Sequence, residues 1–85
     1  MDNQTIHLGN MIKRELKSQG RSVSWLARII RMERSSIYKI FERNSLDVAL
    51  LIRISIVMDH DFFADVSKKM HDHYDNVVKE YLNFQ

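Results

Sequence analysis

Ser22–Arg43 reads SVSWLARIIRMERSSIYKIFER, and its spacing is that of two short amphipathic helices joined by a tight turn. Ser22 is placed to cap a helix over Val23–Ile30, whose inner face is Leu26, Ala27 and Ile30. The methyl group of Ala27 lets another helix approach closely. Arg31 and Met32 make the turn, with Met32 free to drop into a core. A further helix runs from Arg34 to Phe41 or Glu42, anchored by Ile37, Ile40 and Phe41. That leaves Arg34, Ser35, Ser36, Tyr38 and Lys39 facing outward or flanking.

The composition around this stretch favours helix throughout. There is no proline, there are two glycines, and Leu, Ile, Met, Arg and Lys are plentiful. Eighty-five residues make one domain with a thin core. The lack of cysteine excludes disulfides and thiolate metal sites and fits a reducing compartment. No apolar run approaches the ~20 residues of a membrane span. The polar start MDNQTIH is unlike a signal peptide, so the expected location is the cytoplasm.

The net charge of +2 hides an asymmetry. Between Lys13 and Arg43 nine Lys and Arg face three Glu, a local +6; from Asn44 to Gln85 four face seven acids, a local −3. The positive field therefore lies on the helix pair and the helix before it, where it would draw polyanions.

Outward from the pair, Thr5 is a candidate cap for a first helix ending near Gln19. Leu8, Met11, Ile12 and Leu16 form its buried stripe, and Gly20 is its terminator. Ser45 or Asp47 caps a fourth helix ending near Met58, with a broad apolar face of Leu46, Leu50, Leu51, Ile54, Val57 and Met58. Asp61 caps a fifth, carried inward by Phe62, Phe63, Val66 and Met70. Residues 1–70 read as one helical domain and 71–85 as a C-terminal extension. Phe63, Met70, Val77 and Phe84 recur every seven residues, with Val66, Tyr74 and Tyr81 near the same stripe. Two readings fit: a longer helix with a coiled-coil-like seam, or a tail in which KEYLNFQ forms a strand. Tyr74, Val77, Tyr81 and Phe84 then either fold back on the bundle or form a two-fold interface. The interface, favoured here, would set the helices over Arg34–Glu42 of two copies about 34 Å apart, one turn of DNA.

Reading DNA with a helix requires one helix in the major groove, a second bracing it, and outer side chains able to address base edges. The apolar set of Leu26, Ala27, Ile30, Met32, Ile37 and Ile40 fixes such a pair. Arg34 suits guanine or a phosphate, Ser35 and Ser36 are small donors and acceptors, and Tyr38 and Lys39 lie one turn further on. Arg21, Ser22 and Ser24 suit a phosphate at the start of the second helix, and Arg43 and Asn44 suit another after the third.

LARIIRMERSSIYKI followed by SLDVALLIRISIVM resembles the lambda-repressor-like (Cro and Xre) helix-turn-helix family over roughly Leu8 to Phe63. The resemblance implies an all-α, five-helix domain that binds operator DNA as a dimer and regulates transcription. It also implies base contacts by Arg34, Ser35, Tyr38 and Lys39, and phosphate contacts by Ser22, Ser24, Arg43 and Asn44. Three positions depart from the family pattern. Arg31 stands where Gly is usual, and a left-handed Arg would cost about 1 kcal/mol, which predicts a helical turn or one shifted by a residue. Glu33 replaces a Ser or Thr and is a weaker cap. Trp25 replaces an acidic or polar residue and is expected to cover the bundle edge.

Other constellations are weaker. His71, Asp72, His73 and Asp75 supply at most two convergent ligands, short of a metal site. No glycine-rich loop or nucleophile arrangement appears. The expectation is a DNA-binding regulator, not an enzyme, with duplex DNA and a second copy as partners. No cofactor, metal, small-molecule ligand or membrane is expected. The alternative is an adaptor or antitoxin-like interaction module on the same fold.

Overall fold

The computed structural model describes residues 6–84, except for the side chains of 74–77, 83 and 84. It is all-helical, with no strand among the described residues: α1 (Leu8–Ser18), α2 (Val23–Ile30), α3 (Arg34–Phe41), α4 (Val48–Met58) and α5 (Phe62–Phe84). α3 packs against both α1 and α2, and α2 also packs against α4. Among the described residues every fully buried side chain is apolar. Ile12, Leu26, Ile37, Ile54, Met58 and Phe62 are the largest of these.

The stripes read from the sequence supply this core. Leu8, Ile12 and Leu16 enter from α1, Leu26, Ala27 and Ile30 from α2, and Ile37, Ile40 and Phe41 from α3. From α4 come Leu51, Ile54 and Met58, with Leu46, Leu50 and Val57 partly buried beside them; Met32 and Trp25 also pack against the cluster. Asp47 and Asp61 cap α4 and α5 by accepting from the backbone N–H groups of Leu50 and Ala64 at 3.2 and 3.0 Å.

α1 is capped by His7, not Thr5, which lies outside the described residues. The Nδ1 atom of His7 accepts from the Asn10 N–H at 3.0 Å, a role an imidazole fills only while that nitrogen is unprotonated. On α5, Phe62 is buried and Val66 partly so, but Phe63 and Met70 are exposed. A helix resting on a bundle buries one narrow stripe, and Phe63 and Met70 lie about 80–100° around from Phe62. The strand alternative for KEYLNFQ fails over residues 79–84, because α5 stays helical to Phe84. At 23 residues α5 is about 34 Å long. It makes the molecule elongated, 52 × 23 × 21 Å.

α1, α2 and α4 end in the same way. A left-handed residue follows each helix, at Gly20 (φ 70°), Arg31 (φ 59°) and Asp59 (φ 51°). The N–H after each reaches back to Leu16 O, Ala27 O and Ser55 O at 3.1, 2.9 and 3.0 Å, the bonding of a Schellman terminator. Arg31 therefore takes the left-handed conformation itself, and the turn is neither helical nor shifted. Its strain, about 1–2 kcal/mol, is offset by two backbone hydrogen bonds and by Met32, which the motif delivers onto the core.

The junction of α1 with α3 rests on Gly9. The N–H groups of Leu8 and Gly9 donate to Asn44 O and Arg43 O at 3.0 and 2.9 Å. The first unpaired donors of α1 thus satisfy carbonyls just past α3. A Cβ on Gly9 would fall inside van der Waals contact with the backbone of Ile40 and Phe41. Gly9→Ala, a favourable change in an ordinary helix, should instead lower stability by about 1–3 kcal/mol, measured by urea unfolding. Unchanged or raised stability would refute this account of the junction.

Candidate nucleic-acid interface

α3 carries eight residues and is about 12 Å long, close to the width of the DNA major groove. Ile37, Ile40 and Phe41 turn inward, so the opposite face is Ser35, Tyr38 and Lys39, all exposed. Tyr38 is 55 % exposed and is held by an edge-on contact with Phe41, their ring centroids 6.1 Å apart. Ser36 lies on the flank, half-buried, so of the five outward candidates it is the least accessible.

Arg34 is exposed at the first turn of α3, on the side toward α2. Its Nη1 donates to Ser24 Oγ at 3.3 Å. This bond joins a residue read as base-facing to one read as phosphate-facing and brings the N-termini of α2 and α3 together. Ser22 caps α2 by accepting from the Trp25 N–H at 3.0 Å, which leaves its hydroxyl hydrogen free to donate outward. At α3, Glu33 occupies the cap position without a side-chain hydrogen bond.

Arg21 lies across Trp25, its guanidinium carbon 4.0 Å from the ring centroid. Trp25 thus packs on the bundle edge and seats a cation at the start of α2. At the far end of α3, Arg43 and Asn44 are exposed while their carbonyls are held by α1. Five of the ten candidate residues thus lie on α3, Ser24 meets Arg34 at its start, Arg43 and Asn44 follow its end, and Arg21 and Ser22 stand at the start of α2.

Two acids belong to the same region. Glu42 follows α3 on its outward side, and Glu33 precedes it; both are exposed. Among the described residues neither forms an ion pair with Arg34 or Lys39 within 4 Å. Tyr81, read as an interface residue, is 63 % exposed; the side chains of Tyr74, Val77 and Phe84 lie outside the described residues.

Three supporting residues escaped the sequence reading. Gly9 sets the α1–α3 contact. Arg53 of α4 donates from Nη2 to Ile30 O at 2.6 Å, placing a cation at the C-terminal end of the α2 dipole. Gln19 joins Glu15 and Met58 O at 2.9 and 2.8 Å. Of these only Gly9 had a sequence signal, a glycine inside an otherwise helical pattern.

His60 sits between two carboxylates. Its Nε2 lies 2.6 Å from Asp65 Oδ2, and this hydrogen bond holds the imidazolium form above its ordinary value of 6.5, against a smaller desolvation effect. Glu15, 3.5 Å from Nδ1, acts in the same direction.

Apart from the edge contact of Tyr38 with Phe41, the outer side chains of α3 make no contact with the core. Ser35→Ala and Lys39→Ala should each leave unfolding free energy within about 0.5 kcal/mol, and Tyr38→Ala should cost about 0.5–1.5 kcal/mol through its lost pair with Phe41, read by chemical denaturation. A loss above 1.5 kcal/mol at both Ser35 and Lys39 would mark the face as part of the fold. No protein-family model, curated protein or solved structure matches the chain.

Proposed function

We propose that this chain is a sequence-specific DNA-binding regulator of the helix-turn-helix kind that its sequence resembles. α2 braces α3, and α3 enters the major groove. One observation carries the reading: the outward face of α3 holds Arg34, Ser35, Tyr38 and Lys39, exposed and unpaired with the neighbouring acids, on a helix locked from behind by Ile37, Ile40 and Phe41. The local +6 over Lys13–Arg43 supports it, since all nine of these cations are exposed. Lys39 and Ser35 then address base edges, Arg34 a guanine or the adjoining phosphate, and Arg21, Ser22, Ser24, Arg43 and Asn44 the backbone.

A homodimer belongs to the proposal. α5 extends past the bundle with Tyr81 and Leu82 exposed near its end, and a second copy would bury them while pairing two α3 helices across a symmetric site. Sedimentation of a chain cut after Met70 tests this. The shortened chain should be monomeric, and self-association equal to that of the full chain would remove α5 from the dimer.

The second reading, a protein-interaction module, has its own observation. Val48, Ile52 and Ile56 form an exposed apolar stripe on α4, Ile56 being 71 % exposed, and Glu33 and Glu42 reduce the positive field around α3.

Selection of bound duplexes from a random library separates the two. A two-fold symmetric site with a steep salt dependence is expected. At that site Arg34→Ala should cost about 1–3 kcal/mol and relax one base pair, while Arg43→Ala should weaken all sequences alike and reduce the salt slope by about one. Absence of binding at low salt would hand the function to the interaction module.

A further inference from the structure

Where the C-terminal ends of α1 and α4 meet the start of α5, polar side chains form one continuous chain. Asp65 Oδ2 lies 2.6 Å from His60 Nε2, and His60 Nδ1 lies 3.5 Å from Glu15 Oε2. The same Glu15 oxygen accepts from Gln19 Nε2 at 2.9 Å, Gln19 Nε2 also donates to Met58 O at 2.8 Å, and Gln19 Oε1 accepts from Arg21 Nε at 3.2 Å. The chain ends on Arg21, stacked over Trp25.

Each link has one workable polarity. Glu15, Asp65 and Met58 O can only accept, and Arg21 can only donate. Gln19 must therefore point its NH2 at Glu15 and Met58 and its oxygen at Arg21; the flipped amide would set oxygen against two acceptors and NH2 against a donor. His60 faces a carboxylate at both ring nitrogens, and only the imidazolium has a hydrogen for each. When the ring is neutral, the shorter bond to Asp65 keeps the single hydrogen, and a lone pair then faces Glu15. The α1 side of the chain is the one that lets go.

From this geometry we infer that Gln19 is a positioning residue for Arg21, and that His60 is a proton-operated latch behind it, weakening the contact of Arg21 with a nucleic-acid phosphate as pH rises. The inference rests on the DNA reading for its ligand, though not for the latch itself. Glu15 from α1, Asp65 from α5 and Asp61 from the connecting loop all favour the charged ring. Asp59 lines the open groove beside it. Arg14, Lys68, Lys69 and Asp72 share a second groove with Asp65. With the folded-state value of His60 raised above 6.5, the latch is complete below that value and is lost as pH climbs through the folded-state value. The freed Glu15 carboxylate is then held only through Gln19 Nε2, and the Gln19 amide that shifts with it carries the Arg21 guanidinium, bound to its Oε1, away from the phosphate it would take.

Trp25, the single tryptophan of the chain, reports the position of Arg21 without any DNA. Its fluorescence, followed between about pH 5.5 and about pH 8.5, should change with the midpoint at which the His60 ring titrates by NMR. The change should vanish in His60→Gln. In Gln19→Ala it should vanish while His60 still titrates, a separation that a loss of folding cannot imitate. In parallel, binding of a mixed-sequence 30-base-pair duplex should show a salt slope smaller by about one above the midpoint than below it, and His60→Gln should show no such step. A Trp25 signal flat with pH, or one that survives in His60→Gln, overturns the latch. A signal that follows His60 with no step in the salt slope of a duplex that binds overturns the link to phosphate contact. Failure of the wild type to bind DNA at either pH refutes the proposed function and with it the phosphate contact, while the Trp25 titration still decides the latch.

Discussion

Two amide groups at the start of α1 donate to the two carbonyls that follow α3, and the placement of the candidate interface depends on that exchange. Helix ends carry unpaired donors and acceptors that must be met somewhere. Here the ends of two helices answer each other, which requires their backbones to come closer than a side chain would permit. Gly9 supplies the space. As a result Arg43 and Asn44 are anchored by their main chains while their side chains face outward, and the far end of α3 is held as firmly as its apolar flank.

Among the described residues no polar side chain is fully buried in the core, though Ser55 Oγ within α4 is covered without a hydrogen-bond partner, and several polar side chains work at helix ends. Arg53 reaches the last carbonyl of α2, Gln19 reaches that of α4, and His60 joins the start of α5 to α1. The division has a physical basis. The core is thin, with 13 buried side chains among the described residues, and cannot absorb the desolvation of many polar groups, whereas helix termini at its margin supply partners already in need of them. The left-handed terminators at Arg31 and Asp59 follow the same logic: the backbone hydrogen bonds of each turn, joined after Arg31 by the packing of Met32, outweigh a strain that glycine would have avoided.

The cations of Lys13–Arg43 and the exposed face of α3 give the proposed DNA reading its electrostatics, and the acids flanking α3 narrow it. Glu33 and Glu42 oppose close approach of phosphates at either end of the helix, so Lys39, Arg34 and the more distant Arg21 and Arg43 must carry the attraction. Seating Arg21 on Trp25 restricts its guanidinium before any ligand arrives, which reduces the side-chain entropy lost on binding.

The all-helical class, five helices, the α2 and α3 boundaries, and nearly every core residue through Phe62 were legible in the sequence. They follow from the spacing of Leu26, Ala27, Ile30, Ile37, Ile40 and Phe41 and from caps such as Ser22, Asp47 and Asp61, which are local properties of the chain. The outward set on α3 was legible for the same reason, since whatever anchors a helix also defines its opposite face. Tertiary structure alone decided the rest. Apolar periodicity in α5 did not reveal that Phe63 and Met70 face solvent, because the width of a buried stripe depends on how much bundle lies beneath it. Left-handed Arg31 is disfavoured by propensity and is held by the backbone bonds of the turn and the packing of Met32. Arg34 on Ser24, Gln19 between Glu15 and Met58, and Gly9 against α3 join residues far apart in sequence or depend on backbone approach. No periodicity records such contacts, because they exist only once the helices have docked.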